Sequence, residues 1–355
     1  MGSTKANGVA DMNTPLIRNC WYVAAKSDDL GEQLLDRWLL GQNVLLYRTE
    51  AGDPVAMDNR CPHRSFPLSQ GKRTGDNVVC GYHGMTFAPD GRCTHFPPIA
   101  KTPRNIRTSA YPVVERAPLV WIWLGDPSKA DPNLIPEHPV VEAGGWSTVG
   151  GYYHVKANYI GLQENLQDLS HFEHLHSSSV GTPGQDVAAL DIEVKGEAIF
   201  STRVYRDIVA PPLWQNALGL KTDRVTRTIA ESCRSPAVCD ALTTINGIGR
   251  DDTAPKDYHI RILHFITPER QHTTHYWWFF ARDFAVDDAE ADRLFKEGIG
   301  AAFKEDKDAL EGISALCAND VRDDFQELSF ASDKAGVLLR RHFYKLAHTE
   351  AEQII

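Results

Sequence analysis

No run of apolar residues in the chain approaches the roughly 20 that a bilayer-spanning helix requires, which excludes an α-helical membrane protein. Clustered Lys and Arg are missing as well. The 37 basic residues are outnumbered by 47 acidic ones, for a formal net charge of -10. Binding to a phosphate backbone rests on the opposite balance, so nucleic acid is set aside as a partner. Cysteines are few, odd in number and scattered, seven in 355 residues, which argues against a disulfide framework and for free or metal-bound thiolates. There are no internal repeats. The polar segment Met1 to Thr14 lacks the charged and apolar parts of a secretory signal and reads as a disordered leader of a cytoplasmic protein. What remains suits a globular protein: 42% hydrophobic residues can fill ordinary cores, and the length suits two domains or one large one.

From Cys20 to about Gly125 short strands alternate with turns. Asn43 to Arg48 and Pro54 to Asp58 flank Glu50-Ala51-Gly52-Asp53, and Met85 to Phe87 runs into Ala88-Pro89-Asp90-Gly91. Leu119 to Leu124 closes this β region, and the Pro-rich stretch to Pro139 suits a linker, with a boundary near residue 145. Beyond it, Leu162, Leu166 and Leu169 predict a helix over Tyr159 to Phe172. Strands are expected at Ala198–Tyr205, Ala241–Ile245, Tyr258–Ile266 and Thr273–Ala281. Two more helices are expected at Asp287–Leu316 and Ser332–Thr349, the second with Ser332 as N-cap. The pattern is that of an α+β protein, an antiparallel sheet with segregated helices.

Two short loops carry the first chemistry. Cys61-Pro62-His63 is followed after sixteen residues by Cys80-Gly81-Tyr82-His83, so each loop offers one thiolate and one imidazole. A Rieske centre needs two thiolates on one iron and two imidazoles on the other. A structural zinc site would accept the same four ligand types. Cys93 lies outside both loops and is read as a non-ligand.

A second constellation packs Asn165, Asp168, His171, His174 and His176 into twelve residues. Non-haem Fe(II) oxygenases hold iron with two His and one carboxylate and leave positions open for O2. On a continuous helix Asn165, Asp168 and His171 share a stripe. His171 and His176 stand five residues apart, about 140° around a straight helix, so both reach one metal only if the helix bends, loosens or ends. Ser177-Ser178-Ser179 makes an ending plausible. Periodicity does not choose between His174 and His176. The third ligand is sought on the helix after Asp287, where Phe295, Ile299, Ala302, Asp306, Ala309 and Ile313 follow one buried stripe. Asp306 is the misfit, and a buried carboxylate facing a metal is compensated where an unpaired one is not. Lys304, Glu305, Lys307 and Asp308 fall off that stripe and read as solvated.

These motifs, with Arg18-Asn19-Cys20-Trp21-Tyr22-Val23-Ala24 and with Val113-Val114-Glu115-Arg116 before Trp121-Ile122-Trp123, resemble the α subunit of Rieske non-haem iron oxygenases. The likeness spans nearly the whole chain and is to the branch containing vanillate and dicamba O-demethylases. It implies an α+β fold, a Rieske β domain at 15–145 followed by a helix-grip, START-like catalytic domain at 146–355. It implies that Cys61, His63, Cys80 and His83 bind a [2Fe-2S] cluster, and that His171, His176 and Asp306 bind mononuclear Fe(II), with His174 outside the pattern. Asp168 resembles the acid that joins a cluster-ligating His of one subunit to an iron-ligating His of the next, which implies a head-to-tail homotrimer. Asn165 takes the place near the iron in the same motif. The implied chemistry draws NAD(P)H electrons through a separate reductase or ferredoxin and uses O2 on a small aromatic substrate, with O-demethylation of a methoxylated aromatic acid as the expected reaction. Ring hydroxylation and N-demethylation compete within the family. A zinc-stabilised binding protein is the reading from another class, and it has no use for the second set of ligands.

Substrate contacts are marked more faintly. Strand alternation puts Ile260, Ile262, His264 and Ile266 on one face, so His264 can present a polar group in an apolar pocket. Asn246 is a second candidate. Trp277-Trp278-Phe279-Phe280 reads as strand core whose alternate side chains could line the pocket. Glu297, with two glycines beside it, stands where a bulky pocket residue is expected, and Ile208 to Thr244 departs most from the family.

Overall fold

The computed structural model describes residues 16–353 except 98, 100–104, 139–140, 142–143, 178, 183–187, 212–213, 216–223, 248–256, 323–324 and 326. The proposed leader, Ser178 and parts of the 208–244 stretch therefore lie outside the described residues. The chain forms two compact units, one of Leu16–Ile135 with Thr267–Arg270, the other of Pro136–Ile266 with Gln271–Ile355. Among the described residues no helix is long and apolar enough to cross a membrane.

The first unit is built from ten short strands in three sheets. β1 (Trp21–Lys26), β10 (Leu119–Trp123) and β9 (Val113–Arg116) form one, in the order β1-β10-β9. β2 (Leu35–Leu39), β3 (Gln42–Arg48) and β4 (Pro54–Asp58) form the second. β5 (Lys72–Thr74), β6 (Asn77–Val79), β7 (Thr86–Phe87) and β8 (Cys93–His95) form the third. β1 and β10 read as continuous apolar runs because both faces are covered, and Trp121, Ile122 and Tyr22 are fully buried. Beneath the two Cys/His loops, Leu45, Tyr47, Met57, Val78 and Phe87 make a shared core. Burying those side chains stabilises the short strands, each too small to stand alone.

The second unit is a seven-stranded antiparallel sheet in the order β11-β17-β16-β15-β14-β13-β12. Its strands are β11 (Ser147–Val155), β12 (Leu190–Lys195), β13 (Ala198–Val209), β14 (Arg224–Ser235), β15 (Val238–Gly247), β16 (Tyr258–Arg270) and β17 (Thr273–Arg282). The helices are α1 (Tyr159–Gln167), α2 (Phe172–Leu175), α3 (Ala289–Asn319) and α4 (Lys334–Gln353). Asp288 caps α3 by accepting from the N–H groups of Glu290 and Ala291. The apolar stripe of α3 lies against β11 and β17, with the Phe295 ring stacked on Phe280 at 4.9 Å. α1 packs on α4 through Tyr159 and Phe343, and a two-pronged Glu164–Arg340 ion pair, with Oε2 at 2.7 Å from Nη2, pins them together.

Several expectations need correction. The helix from Tyr159 does not run to Phe172. It ends at Gln167, because Asp168 takes an extended conformation (φ -105°, ψ 101°) and its side chain caps a new 3-10 turn over Leu169–His171. Ser332 is not a cap; it lies inside a 3-10 turn before α4, where Asp333 accepts from the Phe330 N–H at 2.6 Å. The α3 stripe rotates away from Ile313, which is 46% exposed, and onto Phe303 and Leu310. In the second unit, β11, β12 and β14 add three strands to the four that the sequence pattern predicts.

Candidate metal centres

The two Cys/His loops are local copies of one turn. Cys61 N–H donates to the Phe66 carbonyl (3.0 Å) and Ser65 N–H back to the Cys61 carbonyl (2.9 Å). Cys80 N–H donates to the Met85 carbonyl (2.7 Å) and Gly84 N–H to the Cys80 carbonyl (3.0 Å). The fourth residue after each Cys is left-handed, Ser65 at φ 57° and Gly84 at φ 73°, which is why glycine suits the second loop. This paired geometry brings His63 and His83 side by side, ring centroids 4.5 Å apart. Both thiols are buried, and burial pushes the Cys61 thiol up to about 11. Nδ1 of His63 is buried without a hydrogen-bond partner, a costly state for a ring nitrogen unless something else binds it. Two buried thiols, two adjacent imidazoles and an orphaned ring nitrogen fit the donor set of a [2Fe-2S] centre with mixed ligands. Cys93 stays apart in the core, its thiol directed to the His95 carbonyl.

In the second unit the break at Asp168 turns His171 towards the end of α2, where His176 is the last residue held by a backbone bond to Phe172 (3.2 Å). Gly181 then donates to the His176 carbonyl (2.9 Å) so close to Phe172 that a Cβ would strike the Phe172 carbonyl. Three atoms converge as a result: His171 Nε2 and His176 Nε2 are 3.2 Å apart, and Asp306 Oδ1 on α3 lies 3.3 and 3.1 Å from them. Their three ligand atoms all lie within 4.8 Å of one another, close enough to share one metal ion. His174 is exposed and takes no part. Asn165 Nδ2 donates to Asp306 Oδ1 at 3.1 Å.

Glu305, expected in solvent, is instead a partner of the site. Its Oε2 accepts from His176 Nδ1 (2.7 Å) and from Ser179 Oγ (2.9 Å). A carboxylate only accepts, so the proton sits on Nδ1 and the neutral ring presents its Nε2 lone pair to Asp306. Lone pairs from three residues aimed at one point need a cation between them, and this donor set fits a two-His, one-carboxylate iron. The electrostatics agree. Burial alone would raise the Asp306 carboxyl, but the two imidazole positions beside it outweigh burial and hold it well below the usual carboxylate range, as a cation at that point would.

A cavity of about 60 Å³ adjoins the triad, with His171, His176 and Asp306 in its wall. α3 contributes Ile299, Ala302 and Phe303, and β16 contributes Ile260, Ile262 and His264 by simple alternation. From β14 come Arg227, Ile229 and Glu231. His264 is buried, accepts or donates at Nδ1 to the Tyr276 hydroxyl (2.7 Å), and burial drives its pKa down to about 3, so it is neutral at physiological pH. Asn246 is a correction: it sits opposite Thr226 on the face of β15 away from Thr243 and Ala241, does not line the cavity, and bonds the Asp257 side chain. Glu297 is likewise outside the cavity, paired with Arg293 on the exposed side of α3. Of the aromatic run on β17, Phe280 reaches the cavity. A second, more open depression of about 580 Å³ shares Asn165 and His171 and includes Asp168, whose Oδ1 accepts from Ser170 N–H at 2.9 Å.

Comparison with known proteins agrees with this arrangement. Residues 20–112 match the Rieske [2Fe-2S] domain, and residues 155–349 match the vanillate O-demethylase oxygenase C-terminal domain. The iron-sulfur subunit of the toluene-4-sulfonate monooxygenase system of Comamonas testosteroni is 36% identical over 83% of this chain and 87% of its own length. The oxygenase component of dicamba O-demethylase from Stenotrophomonas maltophilia is 33% identical over 94% of this chain and 99% of its own. A crystal structure of dicamba monooxygenase with non-haem iron and dicamba superposes with a TM-score of 0.82 at 30% identity, covering 96% of this chain and 99% of that one. A Rieske domain joined to a catalytic domain of that type, over a buried two-His, one-carboxylate cluster, places the chain in the Rieske oxygenase family, as an oxygenase component of the vanillate and dicamba O-demethylase branch.

Proposed function

We propose that this terminal oxygenase oxidatively removes the methyl group of a small methoxylated aromatic acid, with NAD(P)H electrons delivered by a separate reductase or ferredoxin. The observation that carries the reading is the convergence of His171, His176 and Asp306 in the wall of an apolar, buried cavity. In it Cys61, His63, Cys80 and His83 hold the cluster, and His171, His176 and Asp306 the iron. When bound, the cluster supplies single electrons and the iron a site for O2. The chain's own part is positional. Ile260, Ile262, Ile299 and Phe303 exclude water from the reacting methyl group. Glu305 holds the His176 tautomer, Asn165 steadies the Asp306 carboxylate, and neutral His264 offers a polar contact to substrate. Insertion of one oxygen atom into the methyl C–H gives a hemiacetal that collapses to a phenol and formaldehyde; the second oxygen leaves as water with two electrons and two protons.

Asp168 is assigned to electron transfer between subunits of a trimer. Support comes from the segment after α3, where Val321, Phe325, Leu328 and Phe330 are 97%, 66%, 81% and 69% exposed, and where Phe325 and Leu328 line the depression that holds Asp168. Such a patch calls for a covering partner. A cytoplasmic setting suits seven cysteines that form no disulfide. The test is the EPR spectrum of anaerobically purified, dithionite-reduced protein, with iron, sulfide and zinc content, followed by product analysis on methoxylated aromatic acids. About three irons per chain, two in the cluster and one alone, and formaldehyde release support the reading. Zinc without acid-labile sulfide overturns it, and a ring-hydroxylated product moves the reaction to the competing class.

A further inference from the structure

The cavity wall contains a cation that the metal site does not use. Arg227, on the inward face of β14, is 3% exposed, and its Nε and Nη1 are buried with no hydrogen-bond partner among the described residues. Its guanidinium lies over the Trp214 ring at 4.2 Å and the Phe172 ring at 5.7 Å, contacts that offset part of the burial cost and leave the donors unsatisfied. The obvious counter-ion is already engaged. Glu231, two positions along on the same face, gives its Oε2 to Arg203 Nη1 (3.0 Å) and Ser201 Oγ (2.9 Å). Two further donors nearby have no acceptor among the described residues: Trp214 Nε1, in the same wall, and the hydroxyl of Tyr205, which faces Arg227 across the β13–β14 register. Arg227, Trp214 and Tyr205 are therefore a buried set of donors without an acceptor among the described residues, separated from the proposed iron-site imidazoles by one aromatic ring. The Phe172 centroid lies 5.2 Å from those of His171 and His176.

We propose that Arg227 is a substrate-binding residue which recognises the anionic head group, carboxylate or sulfonate, of the aromatic substrate, with Trp214 Nε1 and the Tyr205 hydroxyl as supporting donors. This rests on the reading of the cavity as the oxygenation site. A buried guanidinium with no partner is destabilising by itself, and an anion whose oxygens accept two of its N–H groups removes that cost. Burial lowers the Arg227 pKa to about 10, so the group stays charged at neutral pH. An anion held there has its ring against Phe172 and directs its far substituent to the His171–His176–Asp306 side.

The experiment measures calorimetric binding to the intact protein of matched pairs, the three methoxybenzoates against the three methoxybenzamides, together with toluene-4-sulfonate. Wild type, Arg227→Gln, Arg227→Lys and Arg227→Met are compared. The anions should bind wild type more tightly than the amides. Arg227→Gln should weaken anion binding roughly 10- to 100-fold, the size of lost charge-assisted hydrogen bonds, and leave the amides within about 2-fold. Arg227→Lys should recover part of the difference. Arg227→Met should melt at or above the wild-type temperature, whereas a structural Arg would lower it, and anions should raise the melting temperature of wild type most, of Arg227→Lys less and of Arg227→Met not at all. Preference for carboxylate over sulfonate or the reverse identifies the head group. Equal binding of acids and amides by wild type, no anion binding at all, or an equal loss for both in Arg227→Gln overturns the proposal. Iron content separates this from the parent reading: Arg227-dependent anion binding without mononuclear iron sinks the oxygenation site alone, and iron with no Arg227 effect sinks the anion site alone.

Discussion

Removing the Glu305 carboxylate should loosen the iron site while leaving the cluster intact. Glu305 is about a quarter exposed, 28% for its side chain, and its Oε2 holds both His176 Nδ1 and Ser179 Oγ. Alanine removes the acceptor from a ring that is 2% exposed, so the Nδ1 proton loses a partner that water replaces poorly and the Nε2 lone pair loses its fixed aim. Outer partners of metal-bound His typically contribute 10- to 100-fold in metal affinity, or about 1.4 to 2.8 kcal/mol. The partial exposure of Glu305 favours the lower half of that range. Glu305→Gln keeps an acceptor and loses the charge, so it should fall between wild type and Glu305→Ala. The assay is competition between the protein and a chromophoric Fe(II) chelator, with the reduced-cluster EPR signal as internal control. Affinities within 2-fold of wild type for both variants, or loss of the cluster signal in parallel with iron, would refute the assignment of Glu305 as the group that orients His176.

Three further outcomes are expected. Asp306→Ala removes the carboxylate that lies between both imidazoles and should abolish mononuclear iron and turnover with an unchanged cluster spectrum; retained activity would overturn the ligand assignment. Asp168→Asn preserves the cap on Ser170, since Asn and Asp cap equally well, and should slow oxidation of the reduced cluster in rapid mixing while both metals remain bound; loss of iron would make Asp168 structural. His264 has a folded pKa near 3 against about 6.5 when unfolded. Its contribution to stability is whole above pH 6.5 and is lost as pH falls towards 3, at up to about 1.4 kcal/mol per pH unit. His264→Gln should accordingly flatten the acid limb of denaturant-measured stability, and a limb as steep as wild type would contradict burial of the neutral ring.

The pairing of each Cys with its His was legible because it is local. Each Cys and its His sit within one five-residue turn, so spacing and residue type already determine what can meet. Asp306 was legible because a carboxylate on an apolar helical stripe is out of place, and His264 because β alternation needs no distant information. The choice of His176 over His174 was not open to periodicity, since it depends on a helix that breaks at Asp168, before either residue, and on Gly181 packing against the turn that follows. Glu305 counted as solvated because helical position alone cannot tell water from the imidazole of a segment 129 residues away. β14 went unread for a related reason: its inward side chains are Val225, Arg227, Ile229 and Glu231, so two charges interrupt the alternation that marks a strand. The residue types and short spacings of the proposed metal donors were settled by the sequence alone. Which polar groups are buried, which are paired and which are left facing the cavity were settled only when β13, β14 and α3 came together, because burial and pairing are properties of neighbours that the chain brings in from far along its length.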